Sequence, residues 1–457
     1  MAPFTHGSIS RHLIVNTLMG AIGLMALFLV DFADLWFVSQ LHDVDATAGL
    51  GLAGAVGFFH LSLALGLAIA TGARVAIHSG RREPRRARSI AATALGIGMG
   101  MGVAFLVIVW LGAEIILAMM GGHGRTQELG ATYLRIVGAG FPLQAGTLVV
   151  SLALRGHGMP GKSMTLTLTS AVVNAILDPI FIFGFHMGLA GAGVATLTAF
   201  VASFVMGLFQ LRHHYSRLFG AAGRAWSALF RPDDRRADVK ALLPMAIPIT
   251  LAHLATPVMT GYMLAVAARF GPDVAAAMTV VNRVAVVAFG VTFSLSGAVG
   301  PIIGQNFGAR LMTRVRHAYE AGLLFAGGYT LVGWLVLALL AGRLPEAFGL
   351  SGQAADFVEL FCRITAAAWV FTGGQFVAQA AFNNLENSRL SMTYNWGRAI
   401  FGTILPVEIA IRVMDPPAFG ILWGAAIGWA LMGLLATLHA WSIIRRLERR
   451  VAAQQAA

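Results

Sequence analysis

Asn174 and Asp178 interrupt an apolar stretch, residues 171–193, that is long enough to cross a membrane. They are four residues apart, so both side chains fall on one face of a helix. A carboxylate at the centre of a bilayer costs about 2.5–3.5 kcal/mol, which makes Asp178 a candidate functional residue. The alternative is a structural role, in which a buried Asp pairs with a neighbour. This stretch contains no Lys or Arg that could be that neighbour.

Pro179 follows Asp178 directly and should disturb the helix at that point. Its ring removes a backbone donor and crowds the carbonyl of Ala175. We therefore expect the helix to bend beside the carboxylate and to leave backbone groups free to bind a ligand.

The composition indicates that a membrane-spanning helix must position these residues. Of 457 residues, 57% are hydrophobic and 11% are charged, which is typical of a polytopic membrane protein. The net charge of +12 does not indicate nucleic-acid binding, because the basic residues lie between apolar segments. The single cysteine, Cys362, excludes an intramolecular disulfide and a multi-cysteine metal site. An enzyme is not expected, because no nucleophile, histidine pair or metal-ligand cluster occurs at a working spacing.

The chain contains twelve apolar segments that can cross about 30 Å of hydrocarbon, so an all-α protein with twelve transmembrane helices is predicted. They lie near residues 14–39, 48–73, 90–118, 129–153, 163–185, 190–211, 242–268, 275–304, 317–341, 355–383, 391–413 and 419–443.

Basic residues are concentrated in alternate connectors. The two ends of the chain and five connectors hold 24 of the 32 Lys and Arg residues. These connectors lie near residues 74–89, 155–162, 212–240, 305–316 and 385–389. Positively charged loops stay in the cytoplasm, so we predict a multi-pass protein of the inner membrane with both termini in the cytoplasm.

The two halves of the chain repeat at a constant offset of 228 residues. Asp45 falls on Asp273, Gly72 on Gly300 and Arg88 on Arg316. Two six-helix units must then enter the membrane from the same side as parallel repeats, an arrangement that favours alternating access. The predicted parts are a first lobe, a cytoplasmic connector, a second lobe and a basic cytoplasmic tail. They comprise residues 1–211, 212–241, 242–444 and 445–457.

The repeat also shows where the halves differ. Two first-half acids have no acidic counterpart, since Asp34 falls on Tyr262 and Asp178 on Pro406. Asn174 falls on a glycine, Gly402. A purely structural role would be expected in both copies, so the asymmetry favours an ion-coupling site confined to the first lobe.

Five stretches, in order and at matching spacing, resemble the multidrug and toxic compound extrusion (MATE) family over nearly the whole chain. They are residues 33–51, YLRIVGAGFP at 133–142, RGHGMPGKS at 155–163, N-x-x-x-D-P with GLAGAGVAT at 174–196, and residues 275–310 ending in GPIIGQNFGAR. The chain is most similar to the DinF-like and archaeal branch, whose acids lie in the first lobe. The seventh predicted span lacks the carboxylate that is typical of the NorM branch.

The resemblance implies a V-shaped exporter that exchanges H⁺ or Na⁺ for amphipathic, often cationic, small molecules. It implies that Asp34 is the first-span acid, that Asn174 and Asp178 are the fifth-span pair, and that Tyr133 and Thr196 are possible cation or substrate contacts. Asp31, one turn before Asp34, is an extra acid in the first span. That span contains no proline, so Gly20 and Gly23 would have to supply any weakness at which it bends.

Two carboxylates close together in a low-dielectric cavity cannot readily both ionise, so the pair suits proton uptake. If Na⁺ is the coupling ion instead, Asp34, Asn174 and Asp178 would bind it together with Thr196 and carbonyl groups. The sequence leaves this choice open. No cofactor besides the transported ion is expected, and the protein is expected to act as a monomer on small molecules in the bilayer.

Weaker candidates for the wall of a second-lobe cavity are Asn282, Gln375 and Gln379. The alternative for each is a hydrogen bond between helices. Arg283 and Arg398 are the clearest intramembrane arginines. An alternative function is a flippase or exporter of lipid-linked or other anionic metabolites, for which a strongly basic cavity would be expected.

Overall fold

The computed structural model describes residues 2–219 and 230–456, and these are almost entirely helical. The first half contains α1 (Ile9–Ser39), α2 (Val44–Gly80), α3 (Pro84–Met119), α4 (Gly124–Gly138), α5 (Phe141–Gly156), α6 (Pro160–Pro179) and α7 (Gly188–Phe219). The second half contains α8 (Arg235–Ala268), α9 (Pro272–Gly308), α10 (Met312–Leu340), α11 (Leu344–Ala347), α12 (Gly352–Arg363), α13 (Trp369–Asn384), α14 (Ser388–Ala399), α15 (Leu405–Val413) and α16 (Gly420–Ala456).

The twelve predicted spans all coincide with helices. Within the described residues, nine helices are long and apolar enough to cross a membrane, and α4 with α5 forms a tenth span bent by 49°. The other two are interrupted. A 3₁₀ turn, Thr365–Ala368, lies between α12 and α13, and a π-helical turn, Ile400–Ile404, lies between α14 and α15. The fold is therefore two repeated six-helix halves.

The backbone follows the 228-residue repeat closely. Helices α2 and α9 begin and end at equivalent residues. Residues with a left-handed backbone also recur at this offset. The pairs are Arg82 and Arg310, Gly121 and Gly349, Gly124 and Gly352, and Gly158 and Glu386. The duplication thus preserves the conformation of individual turns as well as the number of helices.

Contacts divide the chain into two units, of which the first comprises Met1–Pro3 with Ile22–Thr250 and the second Phe4–Ala21 with Leu251–Ala457. The division falls inside α1, whereas the sequence suggested a first lobe ending at residue 211. The start of α1 belongs to the second unit because Leu13 is buried among second-half residues and Asn16 Nδ2 donates to the Ala298 carbonyl at 3.3 Å.

The end of the predicted connector is fixed to the first unit through Asp238, which is fully buried in the first turn of α8. Its carboxylate accepts hydrogen bonds from Ser89 Oγ at 2.6 Å and Thr93 Oγ1 at 2.8 Å. Arg86 Nη1 lies 3.0 Å from the other carboxylate oxygen. These donors all belong to α3, so the start of α8 packs on the first unit.

Candidate functional site

Asp34, Asn174 and Asp178 meet inside the first unit. They are 7%, 1% and 0% exposed, respectively. In the amide orientation that satisfies both acids, the Asn174 side-chain nitrogen donates to Asp34 Oδ1 at 2.9 Å and to Asp178 Oδ2 at 3.1 Å. The amide therefore bridges a carboxyl group on α1 and one on α6.

The two carboxyl groups also lie close together, since Asp34 Oδ1 and Asp178 Oδ2 both contact the same amide nitrogen. Two negative charges this close in a buried site repel each other. The cluster is therefore a candidate site for binding a cation or a proton.

Thr196 of α7 completes the cluster. Its hydroxyl oxygen lies 3.3 Å from one of the two polar atoms of the Asn174 amide. That atom is the amide oxygen when the amide nitrogen faces the two acids. Thr196 can therefore donate to this oxygen and hold the amide with its nitrogen toward the carboxyl groups.

A π-helical turn, Ile180–Gly184, follows Pro179 directly. The bend that was predicted at Pro179 is thus a π-helical turn, and residues 160–184 remain one continuous span. Gly191 of α7 allows close packing here, since a Cβ at that position would lie 2.7 Å from the carbonyl carbon of Phe181. π-Helical turns occur frequently at functional sites, and this one begins two residues after Asp178.

Tyr133 lies on the wall of the first unit and is 7% exposed. It belongs to an apolar cluster with Leu134 and Val137, and its ring packs against Gly193 of α7. The side chain of Asp31 lies outside the described residues. The roles suggested for Tyr133 and Asp31 remain predictions.

In the second unit, Gln375 and Gln379 of α13 form hydrogen bonds to α14. Gln375 Nε2 donates to the Tyr394 carbonyl at 3.2 Å, and Gln379 Nε2 donates to Asn395 Oδ1 at 2.8 Å. Both residues thus make the interhelical contacts considered as an alternative to substrate binding. Gln375 Oε1 is nevertheless buried without a partner among the described residues. Asn282 of α9 is half-buried.

A polar cluster occupies the second unit. The pairing of Glu408 with Arg412 follows from their spacing of four residues, but the contacts of Tyr262 and Arg269 do not follow from spacing. Tyr262, the repeat equivalent of Asp34, donates from its hydroxyl to Glu408 Oε1 at 3.0 Å. Arg269 and Arg412 lie 3.2 Å and 3.5 Å from the same carboxylate. The alignment of Asp34 with Tyr262, and the position of Glu408 two residues after the counterpart of Asp178, could have indicated this cluster.

Comparison with known proteins places these features in a family. The sequence pattern of the MatE family matches residues 21–180 and 248–407. A FAD transporter of Shewanella oneidensis is 25% identical over 436 residues, which cover 93% of each chain. NorM of Pseudomonas aeruginosa, a probable multidrug resistance protein, is 28% identical over 449 residues, which cover 93% of this chain and 88% of NorM. A crystal structure of MATE in the bent conformation matches over 99% of both chains with a TM-score of 0.89 at 21% identity.

Proposed function

The chain belongs to the MatE family of membrane transporters, and from this premise we propose that it exports amphipathic, cationic small molecules in exchange for protons. Its relatives include multidrug efflux proteins, and members of the family are transporters rather than enzymes. The proposed coupling site is the cluster of Asp34, Asn174 and Asp178.

The observation that carries the proposal is the carboxyl pair, which is bridged by one amide and buried in the first unit. Protonation would reduce the negative charge of the pair and weaken its attraction for a cationic substrate. Proton entry and cargo exit would then exclude each other. One charge moving down about 100 mV supplies about 2.3 kcal/mol, which supports roughly a 50-fold gradient of an uncharged cargo.

We favour a proton over sodium because two buried carboxyl groups that contact the same amide are suited to taking up a proton. A sodium ion needs oxygen ligands, so Asn174 would have to present its amide oxygen to that ion. Asp34, Asn174, Asp178 and Thr196 would supply side-chain oxygens for a sodium site, and the imposed sodium gradient tests this alternative.

The test is transport by proteoliposomes under an imposed pH gradient and, separately, an imposed sodium gradient. We expect Asp34→Asn and Asp178→Asn to remain folded and to lose at least about tenfold of the proton-driven rate. Glu128→Gln, an acid-to-amide change at an exposed position of α4, is the matched control and should transport normally. Full transport by either site variant would show that the acid is structural, and transport driven only by sodium would replace the proton.

A second candidate cargo is an anionic metabolite. The relative from Shewanella oneidensis is a FAD transporter, and FAD combines aromatic rings with anionic phosphates. In this chain, a buried arginine, Arg398, lies in the second unit, and an anionic group could neutralise it. Export of FAD or carboxyfluorescein, with no export of ethidium, would favour this candidate over cationic drugs.

A further inference from the structure

Arg398 of α14 is a buried cation in a membrane-spanning segment. The residue is 5% exposed, and its Nε is enclosed without a hydrogen-bond partner in the described part of the chain. The ion pairs described in the second unit use other arginines, namely Arg269, Arg316, Arg363 and Arg412. An arginine inside a membrane protein normally has a partner, so Arg398 is a candidate site for binding an anion.

The depth of Arg398 argues against a lipid phosphate as that anion. The predicted span 391–413 begins seven positions before Arg398. At about 1.5 Å per residue this is about 10 Å, or a third of a hydrocarbon core about 30 Å thick. A lipid headgroup stays at the membrane surface, whereas a transported molecule passes the middle.

Polar groups of α13 lie within one turn of Arg398 on α14, since Gln379 Nε2 donates to Asn395 Oδ1 and Gln375 Nε2 donates to the Tyr394 carbonyl. Gln379 and Asn395 are 8% and 7% exposed, so they form a buried polar row with Arg398. Gln375 adds a buried acceptor oxygen without a partner. Phe376 supplies an apolar ring 5.9 Å from the Arg398 guanidinium carbon.

We propose that Arg398 binds a carboxylate or phosphate group of the transported molecule, and that Gln375 Oε1 accepts a hydrogen bond from a donor on the same molecule. This inference rests on the proposed transport function and narrows the cargo to amphipathic compounds that carry an acidic group beside a cationic one. The two units then have separate tasks. The acids of the first exchange the coupling ion and attract the cationic group, and the arginine of the second binds the acidic group.

The competing role for Arg398 is structural, through a cation–π contact with Phe376. A structural arginine would not distinguish two ligands that differ only in charge. The test therefore compares rhodamine B, which carries a free carboxylate, with rhodamine B ethyl ester, in which that charge is removed. Binding is measured by fluorescence anisotropy on the purified protein in phosphatidylcholine nanodiscs.

We expect the unmodified protein to bind the acid at least about tenfold more tightly than the ester, because hydrogen bonds to charged groups are the strong ones. Arg398→Gln should remove this preference while leaving the affinity for the ester unchanged, and Arg398→Lys should keep part of it. Arg283→Gln, which changes an exposed arginine of α9, is the matched control and should keep the full preference.

Equal affinities for acid and ester, no binding of the acid, or an equal effect of Arg283→Gln would overturn the proposal. Competition by phosphatidylglycerol in the nanodiscs would assign the site to a lipid headgroup and would also overturn it. If Arg398→Gln does not fold, Arg398→Lys and the unmodified protein still decide the outcome.

A transport assay separates this proposal from the proposed function. Asp34→Asn should lose gradient-driven transport but keep the preference for the acid. A clear preference without transport under any gradient would reject the proposed function alone. Coupled transport without a preference would reject the Arg398 site alone.

Discussion

The two units share a backbone plan but carry opposite charges at their centres. In the first, Asp178 lies two residues before the π-helical turn Ile180–Gly184. In the second, Arg398 lies two residues before the π-helical turn Ile400–Ile404. The same local distortion therefore accompanies an acid in one unit and a base in the other. The two turns are 220 rather than 228 residues apart, so Asp178 and Arg398 do not occupy equivalent positions of the repeat.

The counterparts of the acids strengthen this contrast. Where the first unit joins Asp34 to Asp178 through Asn174, the second joins Tyr262, the counterpart of Asp34, to Glu408, which lies two residues after the counterpart of Asp178. Glu408 is already paired with Arg269 and Arg412, so it is not available to exchange a proton in the same way. We infer that only the first unit couples transport to an ion.

The largest effect is expected from matched changes in these two clusters. Asp178→Asn should reduce proton-driven transport at least about tenfold, while Glu408→Gln should change it less than about twofold. Initial rates in proteoliposomes measure both. An equal loss in the two variants would show that the units are functionally equivalent and would contradict the proposed division.

Close packing around the two π-helical turns gives the next prediction. A Cβ at Gly428 of α16 would lie 2.1 Å from the Gly402 carbonyl oxygen, which is backbone and cannot move aside easily. Gly428→Ala should therefore destabilise the protein by about 1–3 kcal/mol. Gly191→Ala, at 2.7 Å from Phe181, should behave similarly, whereas Gly51→Ala meets no atom within 4 Å and serves as the control. Thermal unfolding in detergent measures the effect, and a Gly428→Ala variant as stable as the control would show that the turn can shift.

Two polar contacts, one near the connector in the first unit and one near the tail in the second, should differ in how much they stabilise the protein. Asp238→Ala leaves buried donors on Ser89 and Thr93 without their acceptor, so a loss of about 1–3 kcal/mol is expected. In the second unit, Arg316 is paired with Glu448, and both are partly exposed. Glu448→Ala should cost only about 0–1 kcal/mol. Comparable losses of thermal stability would mean that burial does not distinguish these contacts.

The smallest effect is a pH dependence that arises from His157 in the first unit. Burial lowers the pKa of His157 well below its usual range, and the neighbouring His214 adds to this. Below about pH 6.5 the unfolded chain binds a proton that the folded chain excludes, so stability should fall as the pH drops, by at most about 1.4 kcal/mol per pH unit.

The repeat equivalent of His157 is Leu385, which cannot titrate. His157→Leu should therefore lose less stability than the unmodified protein between about pH 7.5 and about pH 5.5, whatever its stability at the higher pH. Unfolding temperatures at the two pH values measure this difference. Parallel pH profiles for the two proteins would assign the dependence to other groups.

Much of the fold could be predicted because its signals are local. The length of apolar segments determines the spans, and the 228-residue offset requires only the sequence itself. The meeting of Asp34 with Asp178 came from family resemblance, since nothing in the spacing brings α1 to α6. The π-helical turn after Asp178 was expected only as a bend at Pro179, because its form depends on packing against Gly191.

Other features depend on tertiary contacts that no local pattern reveals. Whether Arg398 Nε has a hydrogen-bond partner depends on which residues of other helices pack beside it, and the sequence does not show this. The assignment of residues 4–21 to the second unit depends on Leu13 and Asn16 finding partners in the second half of the sequence. The pairing of Tyr262 with Glu408 likewise joins residues 146 positions apart.

The matching left-handed residues have an evolutionary consequence. A turn such as that at Arg82 and Arg310 persists through the divergence of the halves, although neither arginine is a glycine that would adopt it freely. This pattern is expected if one ancestral gene encoded a six-helix protein that paired with a copy of itself. Fusion of the two genes would have freed one copy to lose its acids, because a single coupling site then served the whole molecule.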